Sequence, residues 1–444
     1  MTRSPDHTLQ ALAERFGTPL YVFDERELTR RVRNLRGAFP ASTGLCFAIK
    51  ANPFILPALA PLVERLEACS PGEYRICRSL DVPNERIVVS GVHKDRATIE
   101  AALSQARLPA AITIESPAQL ELVLAVAEEQ DVTAPLLLRL TSGNQFGLDR
   151  ETLMELVPAL REHPHADVHG IQYFSGTQKT SPRRIQRELD KLAELLDDLK
   201  RLCSWTPREL EYGPGLPVAY FEGDAFDEDA LLAAVSAMLS SLPFDGQVTL
   251  ELGRSIAASC GTYLTRVVDA KVNAGQRYAI VDGGIHHLTY YGQSMAMKQP
   301  PCRVLDAPKP DAREPDSPSP GVDSLEPAVR ESTAPKPDAP GPTTDAGSGT
   351  ASAPAPDTTR PPDTWALCGS LCTVNDLLAK QLALGDLTVG DVLAFEKAGA
   401  YCMTEGISLF LSRDLPAVAT IDGTGRAALV RPHTPTDPLN TPAS

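Results

Sequence analysis

Phe47-Ala48-Ile49-Lys50-Ala51-Asn52 is a short apolar run that delivers one lysine to the place where the chain must turn. Its aromatic and β-branched residues suit a buried strand. An ammonium at the end of such a strand costs free energy unless it pairs, reacts, or snorkels past the strand end to water. The sharper of these readings is a desolvated lysine that captures a carbonyl group. What the other strands place around Lys50 decides between them.

Outward from that run a rhythm sets in. Strand-like stretches fall at 45–49, 66–69, 87–90, 111–114, 136–140, 168–174, 209–212 and 248–251. Helical patterns lie between them, as at 119–129, 150–162 and 182–202. Eight β-then-α units predict an α/β fold, a closed (β/α)8 TIM barrel over 25–261. Upstream, a helix at 8–17 and a strand at 20–23 precede Asp24, which is placed to cap a helix over 25–35 with Glu27 completing a capping box. Downstream the pattern turns to short strands at 262–272, 278–281, 365–368, 392–396, 407–411, 417–421 and 427–430, with one helix at 375–382. This predicts a mainly β domain over 262–305 and 364–431, joined by the N-terminal segment 1–24. Residues 306–363 hold 14 of the 39 prolines and no aromatic residue, the composition of a disordered insertion. Residues 432–444 read as a disordered tail.

The formal net charge of −15 argues against nucleic acid or an anionic membrane as partner. No apolar run reaches the ~18 residues of a membrane span, and the start has no signal-peptide core. Nine scattered cysteines without a Cys-x-x-Cys pair fit a reduced, cytoplasmic chain and no structural metal. His286-His287 read as loop histidines, because neighbours on a strand would face opposite ways.

Chemistry in a barrel sits at the C-terminal ends of the strands. Those ends offer Lys50, then Phe174-Ser175-Gly176, Gly213-Pro214-Gly215, and Glu251 with Gly253 and Arg254. Glycine turns bring backbone N–H groups to a phosphate. A carboxylate can pair a protonated ring nitrogen, a flat phenyl can cover a ring, and a lysine can hold an aldehyde. Phosphate, ring nitrogen, ring face and aldehyde together describe pyridoxal 5′-phosphate.

With these residues the chain resembles the fold-type III pyridoxal-phosphate enzymes, and within them the diaminopimelate decarboxylase branch. The matching motifs are FAIKAN at 47–52, EACSPGE at 67–73, SGTQ at 175–178, YGPG at 212–215, ELGR at 251–254, GSLCTVND at 369–376 and GAY at 399–401. The resemblance implies that Lys50 binds the cofactor aldehyde and that Glu251 keeps the ring nitrogen protonated. It implies that Phe174 covers the ring, and that Ser175, Gly213, Gly215, Gly253, Arg254 and Tyr401 hold the cofactor, mainly its phosphate. Cys372 would be the catalytic acid, reaching the site across a homodimer interface. Arg254, Thr373 and Asp376 would meet the substrate.

Three departures mark this chain. Phe174 stands where diaminopimelate decarboxylases usually carry a histidine. The usual triple-glycine loop is Gly213-Pro214-Gly215. Thr373 replaces the acid that follows the catalytic cysteine and helps recognise the distal amino group. The resemblance therefore implies a decarboxylase whose first candidate substrate is meso-diaminopimelate, giving lysine. The alternatives are a carrier-protein-linked or modified amino acid, a racemase, or a pyridoxal-binding protein without turnover.

Overall fold

The computed structural model describes residues 5–291, 295–305 and 364–442. The expected insertion at 306–363 lies outside them. The helix Pro5–Phe16 leads into β1 (Leu20–Asp24), and the helix Glu25–Ala38 follows. Eight parallel strands then close a barrel: β2 (Gly44–Ala48), β3 (Arg65–Ala68), β4 (Ile87–Val89), β5 (Ala111–Ile114), β6 (Ala134–Leu140), β7 (Ala166–Phe174), β8 (Glu209–Gly213) and β9 (Gln247–Leu252). This is the TIM barrel that the sequence predicts.

The helices of the barrel start where short polar side chains meet free N–H groups. Ser70, Asp95, Ser116, Asp149 and Asp227 each accept a backbone N–H from the residue three positions on. Asp24 likewise caps its helix, by accepting from the Arg26 N–H. Glu27 does not complete the expected capping box. Its carboxylate takes the Arg30 guanidinium instead, a stronger charged donor one turn away.

The remaining strands are β10 (Gly261–Asn273), β11 (Gln276–Val281), β12 (Cys302–Val304), β13 (Thr364–Cys368), β14 (Leu377–Ala383), β15 (Val392–Phe395), β16 (Ala417–Ile421) and β17 (Ala427–Arg431). They form a sheet in the order β14-β13-β11-β10-β1-β16-β17, with β15 pairing both β10 and β12. The N-terminal strand β1 sits inside this sheet, antiparallel to β10 and parallel to β16.

Three expectations are corrected. The segment 375–382 is not a helix. Its leucines, alanine and lysine favour helix locally, but antiparallel pairing of β14 with β13 overrides that preference. No strand forms at 407–411, where the chain turns and enters the 3-10 turn Phe410–Ser412. The segment 432–442 is not a frayed tail. Thr434 and Leu415 exchange backbone hydrogen bonds at 2.8 and 3.2 Å, His433 Nε2 meets the Pro19 carbonyl at 3.0 Å, and Thr436 is fully buried. Polar side chains and backbone fasten it, so its low hydrophobicity hides the docking. Among the described residues no helix is long and apolar enough to cross a membrane.

Candidate active site

Barrel register places the first acids around Lys50. Strand β2 pairs Ala48 with Glu67 of β3 on one side and Cys46 with Glu251 of β9 on the other. Just past β2 the chain tightens into the 3-10 turn Ile49–Ala51, which carries Lys50 at the barrel mouth. Lys50 Nζ donates to Glu67 Oε2 at 2.9 Å and to Cys69 Sγ at 3.2 Å, with Glu251 Oε1 at 3.9 Å.

The electrostatics follow from this crowding. Burial of Nζ pulls the Lys50 ammonium down, but Glu67, Cys69 and Glu251 outweigh it and hold its pKa well above the usual lysine value. The side chain as a whole is 41% exposed. Burial alone would raise Glu67, yet the Lys50 charge and hydrogen bond bring it below its ordinary range. Glu251 is pushed up to about 7, first by burial and then by the neighbouring Glu67 charge. Behind Glu251, Gln172 Nε2 reaches its Oε2 at 3.1 Å and also Glu211 Oε1 at 3.4 Å. Glu67 was not singled out in the sequence, although it lies in the quoted motif at 67–73. The available signal was an acid in the middle of a four-residue barrel strand.

Gly253 and Arg254 follow β9. A Cβ on Gly253 would come within 2.9 Å of the Tyr401 hydroxyl. Tyr401 is tied to the lysine turn by its N–H to the Ala51 carbonyl at 2.8 Å. The Arg254 guanidinium lies 4.7 Å from the Tyr401 ring centroid and bonds the Tyr220 hydroxyl at 2.9 Å. Its Nε is buried without a partner.

The other half of the set lies on two touching loops. Phe174 ends β7, and Ser175-Gly176 follow it. A Cβ on Gly213 would press to 2.5 Å from the Phe174 ring, and one on Gly215 to 2.0 Å from the Gly176 carbonyl oxygen. Gly215 also has a positive φ of +63°, so the close approach needs glycine.

Cys372 and Thr373 lie elsewhere, on the loop between β13 and β14. Cys372 is exposed. Among the described residues no hydrogen bond or ion pair of this loop reaches Lys50, Glu67 or Glu251 within the chain. Asp376 is 3% exposed, with Oδ1 taking the Ile285 N–H at 2.8 Å and Oδ2 the Leu371 N–H at 2.7 Å. It wedges against Gly284 and Gly369. The expected substrate carboxylate is thus committed to backbone and shapes its own loop. His286 and His287 sit in a turn, as expected of loop histidines, and are buried with ring centroids 3.7 Å apart.

Lys50, the carboxylates, the glycine cradles, the unpaired Arg254 Nε and Tyr401 fit pyridoxal phosphate. The comparisons agree: residues 25–258 match the pyridoxal binding domain of the pyridoxal-dependent decarboxylases, and residues 322–399 match their C-terminal sheet domain. The chain belongs to this family, a group of pyridoxal-phosphate-dependent amino-acid decarboxylases. It is similar to the diaminopimelate decarboxylase of Vibrio cholerae, 30% identical over 302 residues that cover 63% of this chain and 70% of the relative. It is also similar to the L-glutamyl-[BtrI acyl-carrier protein] decarboxylase of Niallia circulans, 25% identical over 95% of this chain and 93% of the relative. In fold it is similar to diaminopimelate decarboxylase from Helicobacter pylori complexed with L-lysine, with a TM-score of 0.76 and 21% identity, covering 97% of this chain and 98% of the other.

Proposed function

We propose that the chain decarboxylates an amino acid whose distal end carries no free ammonium, as in a carrier-linked glutamyl thioester. The observation that carries this choice is the Cys372 loop. Thr373 has no charge, and Asp376, the one acid of residues 369–376, spends both oxygens on backbone N–H groups. A distal ammonium would find no free acid on this loop to pair with. The near full-length likeness to the carrier-protein decarboxylase supports the same reading. meso-Diaminopimelate is the second reading, favoured by the relatives of that name at 26–30% identity; it needs an acid from outside this loop.

In this account Lys50 would hold the cofactor's aldehyde, Glu251 its ring nitrogen and Phe174 its ring. Ser175, Gly213, Gly215, Gly253 and Tyr401 would hold its phosphate, and Arg254 would serve the phosphate or the substrate carboxylate. When bound, pyridoxal phosphate supplies an electron sink for the pair left by the departing CO2. Cys372 gives a proton to the α-carbon from a second copy of the chain. Exposed Leu409, Phe410 and Leu411 support such a homodimer. They adjoin the cysteine loop through the Arg413 hydrogen bond to the Ser370 carbonyl at 2.7 Å.

The test is CO2 release from a panel of glutamate, ornithine, lysine, arginine and meso-diaminopimelate, each free and carrier-linked where a side-chain carboxyl allows. Turnover of the carrier-linked glutamyl group above all free amino acids is expected. Preferential turnover of free meso-diaminopimelate would overturn the substrate choice.

A further inference from the structure

Glu188 is a buried acid that the reading above leaves without a role. It lies in the second turn of the helix Pro182–Cys203 and is 8% exposed. Three donors converge on its carboxylate. Ser175 Oγ donates to Oε1, Lys179 Nζ to Oε2 at 2.7 Å, and Tyr212 Oη to Oε2 at 2.8 Å. Arg184 Nε stands farther off, at 3.8 Å. The Lys179 side chain is completely buried.

These donors come from the two glycine loops. Ser175 and Lys179 bracket Gly176, and Tyr212 immediately precedes Gly213. The loops are stitched together above the acid. The Lys179 N–H donates to the Gly215 carbonyl at 3.0 Å. The Gln178 side chain grips Val218 in both directions, donating to its carbonyl at 2.9 Å and accepting its N–H at 2.7 Å. A buried carboxylate would be costly alone, but charge-assisted bonds from three donors compensate it and fix their geometry. Phosphate binding needs several N–H groups held on one point, and loops ordered in advance lose less entropy on binding.

We propose that Glu188 is a positioning residue for the phosphate cradle: it draws the loops 175–179 and 213–218 into one preformed anion site. This deepens the reading that these loops hold the cofactor phosphate, and it rests on that reading. A rival account makes Lys179 the phosphate's electrostatic partner, with Glu188 weakening its pull. The two accounts differ in sign.

The experiment compares the dissociation constants of pyridoxal 5′-phosphate and of pyridoxal, which lacks the phosphate, by absorbance titration of the full chain. Positioning predicts that Glu188→Gln and Lys179→Met both weaken pyridoxal phosphate by about tenfold or more, the size of a lost charge-assisted bond in an organising network. Pyridoxal binding should stay within about twofold, because only the cradle changes. Tighter binding by Glu188→Gln, or an equal loss for both ligands, would overturn the proposal. Tyr212→Phe removes one donor and is the fallback where Glu188→Gln does not fold; unchanged phosphate preference there counts equally against the proposal. Gly215→Ala separates the two levels. If it weakens pyridoxal phosphate selectively while Glu188→Gln does not, the cradle stands and the role of Glu188 falls. If Gly215→Ala leaves both ligands unaffected, the cradle reading itself fails, and the proposal with it.

Discussion

Replacing Glu67 by Gln removes the carboxylate that lies 2.9 Å from Lys50 Nζ while keeping the side chain's size. At an effective dielectric of about 20, unit charges at that distance attract by roughly 6 kcal/mol. Water at the barrel mouth screens part of this, since 41% of the lysine side chain is exposed. The second carboxylate, Glu251 at 3.9 Å, also remains. The expected fall in the Lys50 pKa is therefore about one to three units, or roughly 1.4–4 kcal/mol. The sign is fixed by nucleophilicity. Glu67 favours the ammonium, and only the neutral amine attacks a carbonyl. Glu67→Gln should raise the neutral fraction about 10- to 1000-fold at any pH well below the Lys50 pKa. The assay is the rate of covalent capture of pyridoxal phosphate by cofactor-free protein across neutral and alkaline pH. The profile should move to lower pH by about one to three units. An unchanged profile, or a move to higher pH, refutes the Lys50–Glu67 pairing as the control on this amine.

Cys372→Ala should take up the cofactor normally but release CO2 about 10²-fold more slowly, the scale of a lost acid–base group; loss of cofactor uptake as well would remove Cys372 from that role. Asp376→Ala strips the acceptor from two backbone N–H groups and should cost about 2–4 kcal/mol. Hydrogen exchange should then speed up at Ile285 and Leu371, and loss of protection elsewhere alone would contradict the pin. His286 is 1% exposed, and burial lowers its pKa to about 4. The folded state refuses a proton that the unfolded state accepts, so this stability is complete above about pH 6.5 and is lost as pH falls toward 4. At about 1.4 kcal/mol per unit that is roughly 3 kcal/mol, and His286→Leu should flatten the fall of Tm in this window. A slope identical to the parent's would show that the ring is not held neutral.

The barrel was legible because buried parallel strands are nearly continuous apolar runs, and five of the eight are followed by a short polar cap and a helical period. Lys50, Glu251, Gly253, Arg254 and Tyr401 could be gathered in advance for the same reason: they fall at strand ends or in short motifs next to them. Strand β14 was not legible, because its local preference is helical and only the partner β13 makes it extended. Glu67 and Glu188 escaped notice for a related reason. An acid in a strand and an acid on a charged helix look alike in sequence whether they face water or a cluster of donors. Asp376 looked available to substrate, and only its two backbone partners show its commitment. The docking of residues 432–442 rests on hydrogen bonds of His433, Thr434 and Thr436, which hydropathy does not register.

Lys50 is the proposed anchor of the cofactor. Borohydride reduction of the pyridoxal-phosphate-loaded protein, followed by peptide mass mapping, tests it directly. The reduced pyridoxyl group is expected on the peptide that carries Lys50, with no such adduct in Lys50→Ala. An adduct on Lys94 or Lys179 in the unaltered protein would contradict it.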